Sequence, residues 1–182
     1  MRWNNKLSVV RSGWQRGQKT GGFTLVELMV VIIILAVAAA IVVPMASSAA
    51  SMQLRSAVNM VAADLEYAKS LAIGTGLKHS VVFDTANEMY QIVGPNGATV
   101  EHPVKKGFSY IVNFATDGRL DQVNVESADF DGAAVVRFDY LGVPYNTGGT
   151  ALAAEGVITL QAGEVSRTVR VEPVTGFVSI PN

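Results

Sequence analysis

The chain has 182 residues, with 14 Lys and Arg against 15 Asp and Glu, and it contains no cysteine. This length suffices for one modest domain with its own hydrophobic core. The lack of cysteine excludes a disulfide-stapled scaffold, a thiolate metal site and a cysteine nucleophile. Charge is uneven: residues 1–22 hold five basic residues and no acid, whereas residues 23–182 hold nine basic and 15 acidic residues, a balance of −6. This acidic majority argues against a general nucleic-acid binder.

A long apolar segment follows the basic leader. Residues 23–43 read FTLVELMVVIIILAVAAAIVV. As a helix they would span about 31 Å, close to the roughly 30 Å hydrocarbon core of a bilayer. The leader charges predict a cytoplasmic N-terminus and export of the rest of the chain. Two alternatives are a buried helix of a soluble protein, which the length of the run disfavours, and a secretory signal peptide cleaved within residues 46–50.

One acidic residue, Glu27, interrupts this apolar segment near its start. A charged side chain at the bilayer centre costs about 2.5–3.5 kcal/mol, so an ionisable group in such a segment is a candidate functional site. A lone Glu near the interface could instead extend its carboxylate to water. A signal peptide gains nothing from a carboxylate at this position, and Glu27 therefore favours a different kind of N-terminal segment.

The residues around Glu27 resemble the N-terminal signature of type IV pilin-like proteins, meaning type IV pilins and the pseudopilins of type II secretion. That signature is a basic leader ending in Gly, then Phe-Thr-Leu-aliphatic-Glu-Leu, then an apolar helix, and residues 22–28 match it. Pro44 lies where many members place a proline that bends the helix. The resemblance covers about the first third of the chain. A weaker similarity, at residues 138–142 and 168–178, is to GspH/FimT-type minor pseudopilins.

This resemblance implies a processing site. A prepilin peptidase, an aspartyl protease of the membrane, would cut between Gly22 and Phe23 and N-methylate the new amino group of Phe23. Glycine presents no side chain to hinder entry into the protease cleft. The cut removes the leader, residues 1–22, and leaves the apolar segment on the mature protein. The only two tryptophans, Trp3 and Trp14, lie in the leader.

The resemblance also implies roles in assembly for two residues of the remaining helix. We expect Glu27 to pair with the Phe23 amine of a neighbouring subunit. At about 4 Å and an effective dielectric constant near 20, such a pair is worth roughly 4 kcal/mol before desolvation, which offsets much of it. Pro44 removes a backbone donor and is predicted to kink the helix. Residues 23–50 would thus form a transmembrane and filament-core helix.

Residues 51–182 are predicted to be a periplasmic α+β domain, in which the long N-terminal helix packs on antiparallel sheets. The pattern predicts an amphipathic helix over residues 51–73, ended by Gly74 and Gly76, and a β-rich region over residues 78–182. The apolar residues predicted to pack on a sheet are Leu54, Val58, Val61, Leu65, Ala68 and Ala72, and the polar residues of the helix are Arg55, Asn59, Asp64, Glu66 and Lys69. Strands are predicted at residues 81–83, 90–93, 108–114, 122–125, 133–140, 156–161, 166–171 and 176–180.

The remaining polar residues form no pattern typical of an active site. His79 and His102 are interpreted as a strand-end and a loop histidine. The densest acidic group is Asp117, Asp121, Asp129 and Asp131, which predicts a solvated surface and not a calcium loop. We therefore expect no enzymatic activity, no cofactor and no metal site. Nucleic-acid binding is also not expected, since some FimT-like members carry a Gly-Arg element where Gly176 here precedes Phe177.

Together these features predict a minor pseudopilin, a structural subunit of a type II secretion pseudopilus that helps to export folded proteins. It would span the bacterial inner membrane once, with its C-terminal domain in the periplasm, until it assembles into a periplasmic filament. The expected partners are the prepilin peptidase, other pilin-like subunits and the inner membrane. One alternative is a minor type IV pilin serving pilus assembly, adhesion or DNA uptake, and another is a periplasmic binding domain released by signal-peptide cleavage.

Overall fold

The computed structural model describes residues 22–181, except for the side chains of residues 41–48. The predicted leader, residues 1–21, lies outside the described residues. The chain divides after Ile41 into two units. One helix, α1, covers Leu25–Thr75, and strands follow it at His79–Asp84 (β1), Met89–Val93 (β2), Ile111–Asn113 (β3), Asn124–Asp129 (β4), Val135–Phe138 (β5), Pro144–Tyr145 (β6), Gly156–Ala162 (β7), Val165–Val171 (β8) and Val178–Ser179 (β9).

The second half of α1 is amphipathic, as its spacing predicts. Side chains three and four positions apart lie on one face of a helix. The six apolar residues predicted for this face are all buried, and Ala57 joins them. The helix ends after Thr75, where Gly76 adopts a φ of 70°, a left-handed conformation that glycine reaches without steric cost. The predicted packing face is therefore confirmed, whereas the helix continues through Gly74, two residues beyond its predicted end at residue 73.

The strands form two antiparallel sheets. The first has the order β3-β2-β1-β5-β6 and the second has the order β4-β7-β8-β9. In β1 buried residues alternate with partly exposed ones, so one face of the first sheet covers the core. In the second sheet β7 and β8 form a hairpin through Gly163 and Glu164, with Ile158 opposite Val169. The helix and two antiparallel sheets give the α+β fold that the sequence predicts.

A single core joins the helix to both sheets. The apolar face of α1 and the inner faces of the two sheets belong to one cluster of buried residues. Between the sheets, the rings of Phe83 and Phe130 stack with their centroids 6.0 Å apart. The Glu88 carboxylate accepts a hydrogen bond from the Val125 amide, which ties the β1–β2 connection to β4. These contacts fix residues 54–171 as one packed body.

Several predicted strand boundaries were wrong. Strand β4 begins two residues later than predicted because the Gln122 amide donates to the Gln53 side chain at 3.1 Å, and the strand continues to Asp129 through a bulge. Strand β3 is short because the Phe108 amide closes a turn onto the Lys105 carbonyl. The short strand β6 was not predicted, and the last strand contains two residues instead of five.

Strand β5 also ends earlier than predicted, because the next residue forms a turn. The Asp139 carboxylate accepts hydrogen bonds from the amides of Leu141 and Val143, both at 2.9 Å. These bonds turn the chain back so that Pro144 and Tyr145 can pair with β5. A side chain that satisfies its own neighbouring amides competes in this way with continued strand pairing.

Candidate functional site

The N-terminal segment brings together three of the predicted site residues. Gly22 and Phe23 precede α1, and Glu27 lies in its first turn. Gly22 is exposed, and a Cβ added to it would meet no other atom within 4 Å. Phe23 is 82% exposed. The peptide bond between these two residues is therefore open to solvent, as a protease requires.

Thr24 caps the start of the helix. Its hydroxyl accepts a hydrogen bond from the Glu27 amide at 3.1 Å, and its carbonyl accepts one from the Leu28 amide at 3.1 Å. The first amides of a helix have no partner within the helix, and a threonine at this position supplies one. Thr24 and Glu27 also have the spacing of a capping box, in which the acid at the third helical position turns back towards the cap. The sequence pattern Thr-x-x-Glu could have indicated this role, which the sequence reading missed.

The electrostatics of this turn favour an acid and disfavour a cation. The start of a helix carries a partial positive charge, so the Glu27 carboxylate stabilises it by about 0.3–1 kcal/mol when exposed. An amino group created at Phe23 would place a positive charge at the same helix end. Glu27 is then the nearest acid along the chain able to offset that charge, either within the chain or in a neighbouring subunit.

Within residues 23–40 this unit presents an exposed apolar surface. The large apolar side chains from Phe23 to Val37 are all exposed, between 47% and 82%. Patches of this kind on a protein indicate contact with lipid or with other chains. Within the fully described part of the chain, no helix meets the length and apolarity required of a membrane span. Pro44 falls within the bounds of α1, but its side chain lies outside the described residues, so the kink stays a prediction.

A second polar site lies in the core of the other unit. The Asp64 carboxylate is buried and accepts hydrogen bonds from the hydroxyls of Tyr90 and Tyr110, at 2.5 and 2.7 Å. Burial raises the pKa of Asp64, and the two tyrosine hydrogen bonds oppose this shift. Burial also raises the pKa of both tyrosine hydroxyls above the usual range. The sequence pattern counts Asp64 only among the polar residues of the helix and does not predict this cluster.

The tyrosine hydroxyls link the helix to distant segments of the chain. Tyr90 lies in β2, and Tyr110 directly precedes β3. The Tyr110 ring stacks on Tyr67 at 5.5 Å and on His102 at 4.6 Å. A buried carboxylate that accepts hydrogen bonds from two neutral donors is stable in the core, but the loss of either donor would be costly. The cluster therefore positions the first sheet against α1, and its groups are engaged with one another.

The histidines occupy the predicted kinds of position. His79 begins β1 and is buried, and its Nδ1 lies 3.0 Å from the Leu77 carbonyl oxygen. His102 lies in a loop, where its Nδ1 accepts hydrogen bonds from the amides of Val104 and Lys105. The residues that the structure describes contain no group of three or more side chains placed to hold a metal ion.

The predicted acidic group is separated into local contacts. Asp117 pairs with Arg119 at 2.8 Å, and this hydrogen-bonded pair lowers the pKa of Asp117 to about 2. Asp121 accepts a hydrogen bond from the Gln53 side chain. Asp129 accepts one from the Gly132 amide, and Asp131 accepts one from the Ala153 amide. Each carboxylate serves a turn or a neighbouring element.

Comparison with known proteins gives one family match. Residues 17–43 match the family model described as the prokaryotic N-terminal methylation motif. No curated protein matches the sequence. The matched residues include Gly22, Phe23 and Glu27 and end at the last residue before Pro44.

Solved structures that are similar to this chain include a minor pilin and a minor pseudopilin. One is the type IV minor pilin FimU of Pseudomonas aeruginosa, which is 16% identical, with 72% of this chain and 90% of that chain covered and a TM-score of 0.49. Another is the minor pseudopilin EpsH of the type 2 secretion system of Vibrio cholerae, which is 8% identical, with 71% and 96% covered and a TM-score of 0.47. Through the motif over residues 17–43, the N-terminal part of this chain is similar to type IV pilin-like proteins.

Proposed function

We propose that this protein is a minor pseudopilin, a structural subunit of a type II secretion pseudopilus that helps to export folded proteins. The observation that carries the proposal is the methylation motif over residues 17–43, which contains the solvent-accessible bond between Gly22 and Phe23. The chain would act as a substrate of a processing enzyme and then as a building block, without catalytic activity of its own.

Processing is the first step of this function. A prepilin peptidase cuts after Gly22 and methylates the amino group of Phe23. Thr24 then follows the new N-terminus and still caps α1 through its bond to the Glu27 amide. Removal of the leader therefore leaves the first helical turn intact, and the mature chain begins one residue before its helix cap.

Anchoring and assembly are the second step. The apolar residues of positions 23–43 hold the chain in the inner membrane, with the acidic C-terminal part in the periplasm. In the filament the same apolar surface packs against helices of other pilin-like subunits. Glu27 neutralises the Phe23 amine of a neighbour, and this pairing sets the axial position of each new subunit because an unpaired charge in the apolar core is costly.

The processing step is tested by the composition of the mature protein. Cleavage after Gly22 removes Trp3 and Trp14, the only tryptophans, so the membrane-bound form has no indole absorbance and begins with N-methyl-Phe23 in mass spectrometry. A Gly22→Val variant places a branched side chain at the cut and should keep both tryptophans. An intact leader in the native protein would contradict the proposal, and a chain starting beyond residue 46 would support signal-peptide cleavage instead.

A minor type IV pilin is the second candidate, because the methylation motif is common to pilins and pseudopilins. The two functions differ in their partner proteins. Chemical cross-linking in native membranes, followed by mass spectrometry, should join this chain to type II secretion subunits. Cross-links to pilus subunits, together with a normal secretion profile after deletion of the gene, would assign it to a pilus.

A further inference from the structure

Two arginines line one groove between the helix and the second sheet. Arg55 and Asn59 come from α1, and Arg167 comes from β8, with Val58 and Ile180 completing the lining. The groove has a volume of about 410 Å³. Val58 is 1% exposed, so the groove has an apolar floor beneath charged walls.

Neither guanidinium has a partner within the described part of the chain. The basic residues with an acidic partner there are Lys69, Arg119 and Arg170, which pair with Glu66, Asp117 and Glu155. Arg55 and Arg167 have neither an ion pair nor a hydrogen bond to the described residues. The two positive charges that line the groove repel each other. An anion bound between them would be attracted to both, and this attraction would offset the repulsion.

We propose that this groove receives carboxylate side chains from the neighbouring subunit of the filament. The inference rests on the proposed function, which places other pilin-like subunits beside this one. A guanidinium forms paired hydrogen bonds with a planar carboxylate, and two guanidiniums from different elements fix its position. The apolar floor excludes water from one side, which strengthens the charge interaction.

Lipid head groups fit the groove less well than a subunit does. Arg55 follows Val43, the end of the apolar segment, by 12 positions. Twelve helical residues span roughly 18 Å, whereas the polar zone of a bilayer is only about 5–8 Å deep on each side. Nucleic acid fits less well also, because the mature chain has nine basic against 15 acidic residues and would repel a polyphosphate.

Binding of defined probes tests the chemistry of the groove. The probes are a hexaglutamate peptide, a short DNA duplex and phosphatidylglycerol vesicles. Each is added to the processed chain, residues 23–182, in detergent micelles. We expect hexaglutamate to bind, and the Arg55→Gln/Arg167→Gln variant to lose about tenfold in affinity. A Lys106→Gln variant, which removes an exposed loop charge, should bind as the wild type does. Preference for DNA or vesicles, or unchanged peptide binding by the double variant, would overturn the inference.

Filament incorporation tests the groove in the cell. In an Arg55→Glu/Arg167→Glu variant we expect cleavage after Gly22 as in the wild type, but about tenfold less protein in the filament fraction. The Arg55→Gln/Arg167→Gln variant, which adds no repulsion, should show a smaller loss in the same direction. Wild-type incorporation by both variants would refute the groove and leave the proposed function in place. Failure of the wild-type chain to be cleaved or incorporated would instead refute the proposed function itself.

Discussion

Under the proposed function, Glu27 has two separable tasks in the first turn of α1. Thr24 and Glu27 have capping-box spacing, so Glu27 can stabilise the helix start through hydrogen bonding as well as through charge. Helix capping needs only a side-chain oxygen at this position. Neutralisation of a neighbouring Phe23 amine needs a negative charge. The two tasks therefore respond differently to glutamine, which keeps the oxygen and loses the charge.

We predict that Glu27→Gln is cleaved and methylated normally but enters filaments poorly. The helix start is preserved in this variant, whereas a charge interaction worth roughly 4 kcal/mol before desolvation is lost. Immunoblotting of membrane and filament fractions measures the outcome, and Glu27→Asp, which keeps the charge on a shorter side chain, is the matched control. If the glutamine variant assembles like the wild type, Glu27 acts through capping alone.

The buried Asp64 makes the stability of the chain depend on pH. A carboxyl group whose pKa is raised on folding binds its proton more tightly in the folded chain, so protonation favours the folded state. Stability contributed by Asp64 therefore increases as the pH falls from above the raised pKa towards 3.8, the ordinary value. Below that value the contribution is constant, because both states are protonated.

We predict that the difference in unfolding free energy between wild type and Asp64→Asn shifts in favour of the wild type as the pH falls through this window. The asparagine variant has no titrating group at this position and serves as the baseline. Denaturant unfolding at a series of pH values measures the difference. Asp117→Asn is the control of opposite sign, since the lowered pKa of Asp117, about 2, makes the wild type lose stability as the pH falls from 3.8 through that value. Its effect should be small because Arg119, which pairs with Asp117, is exposed and solvent screens the pair. If the difference in unfolding free energy between the wild type and Asp64→Asn did not change with pH, the raised pKa of Asp64 would be contradicted.

Among the elements, the segment between β8 and β9 is attached to the helix by hydrogen bonds with two helix side chains. Lys69 donates to the Gly176 carbonyl at 2.9 Å and pairs with Glu66, whose carboxylate accepts from the Val178 amide. Gly176 has a φ of 61°, and a Cβ there would overlap the Gly142 carbonyl oxygen. Glycine is thus required at this position both for backbone conformation and for space.

We predict that Gly176→Ala destabilises the fold by more than Gly163→Ala does. Gly163 has a similar φ of 59° but no atom within 4 Å of an added Cβ, so it isolates the conformational cost, about 1–2 kcal/mol. Overlap with Gly142 should add about 1–3 kcal/mol at Gly176. Thermal and denaturant unfolding of the two variants gives the comparison, and equal losses would mean that the turn moves aside freely.

The elements also differ in how far the sequence could predict them. The helix stripe and the β7–β8 hairpin depend on neighbours close in sequence, and their patterns placed them correctly. Strand β6 and the start of β4 depend on hydrogen bonds to distant or turn residues, such as Gln122 to Gln53, which no local pattern reveals. The role of Asp64 escaped prediction for the same reason, since its partners Tyr90 and Tyr110 lie 26 and 46 positions away.

In the whole molecule, the exposed apolar surface and the buried core lie in different parts of the chain. The large apolar side chains between Phe23 and Val37 are exposed, whereas the described buried core residues all fall between Leu54 and Val171. The exposed apolar side chains can be covered only by lipid or by other chains. The buried core residues cover one another, because both sheets pack on the apolar face of α1. The core that stabilises the fold and the exposed apolar surface therefore belong to different parts of the chain.

We predict from this separation that residues 50–182 fold without the preceding segment. This fragment keeps the whole described core, including the partly buried Ala50 that packs on it. It should unfold in one cooperative transition, followed by circular dichroism during heating.

A fragment of residues 59–182 is the matched control, because it lacks Leu54, Ala57 and Val58. Loss of Leu54 and Val58 alone removes about 1.5–3 kcal/mol each, a large share of the 5–15 kcal/mol typical of a domain. Cooperative unfolding of the shorter fragment at the same temperature would mean that the first turns of the buried helix are dispensable. Non-cooperative unfolding of the longer one would place part of the fold's stability in the apolar segment.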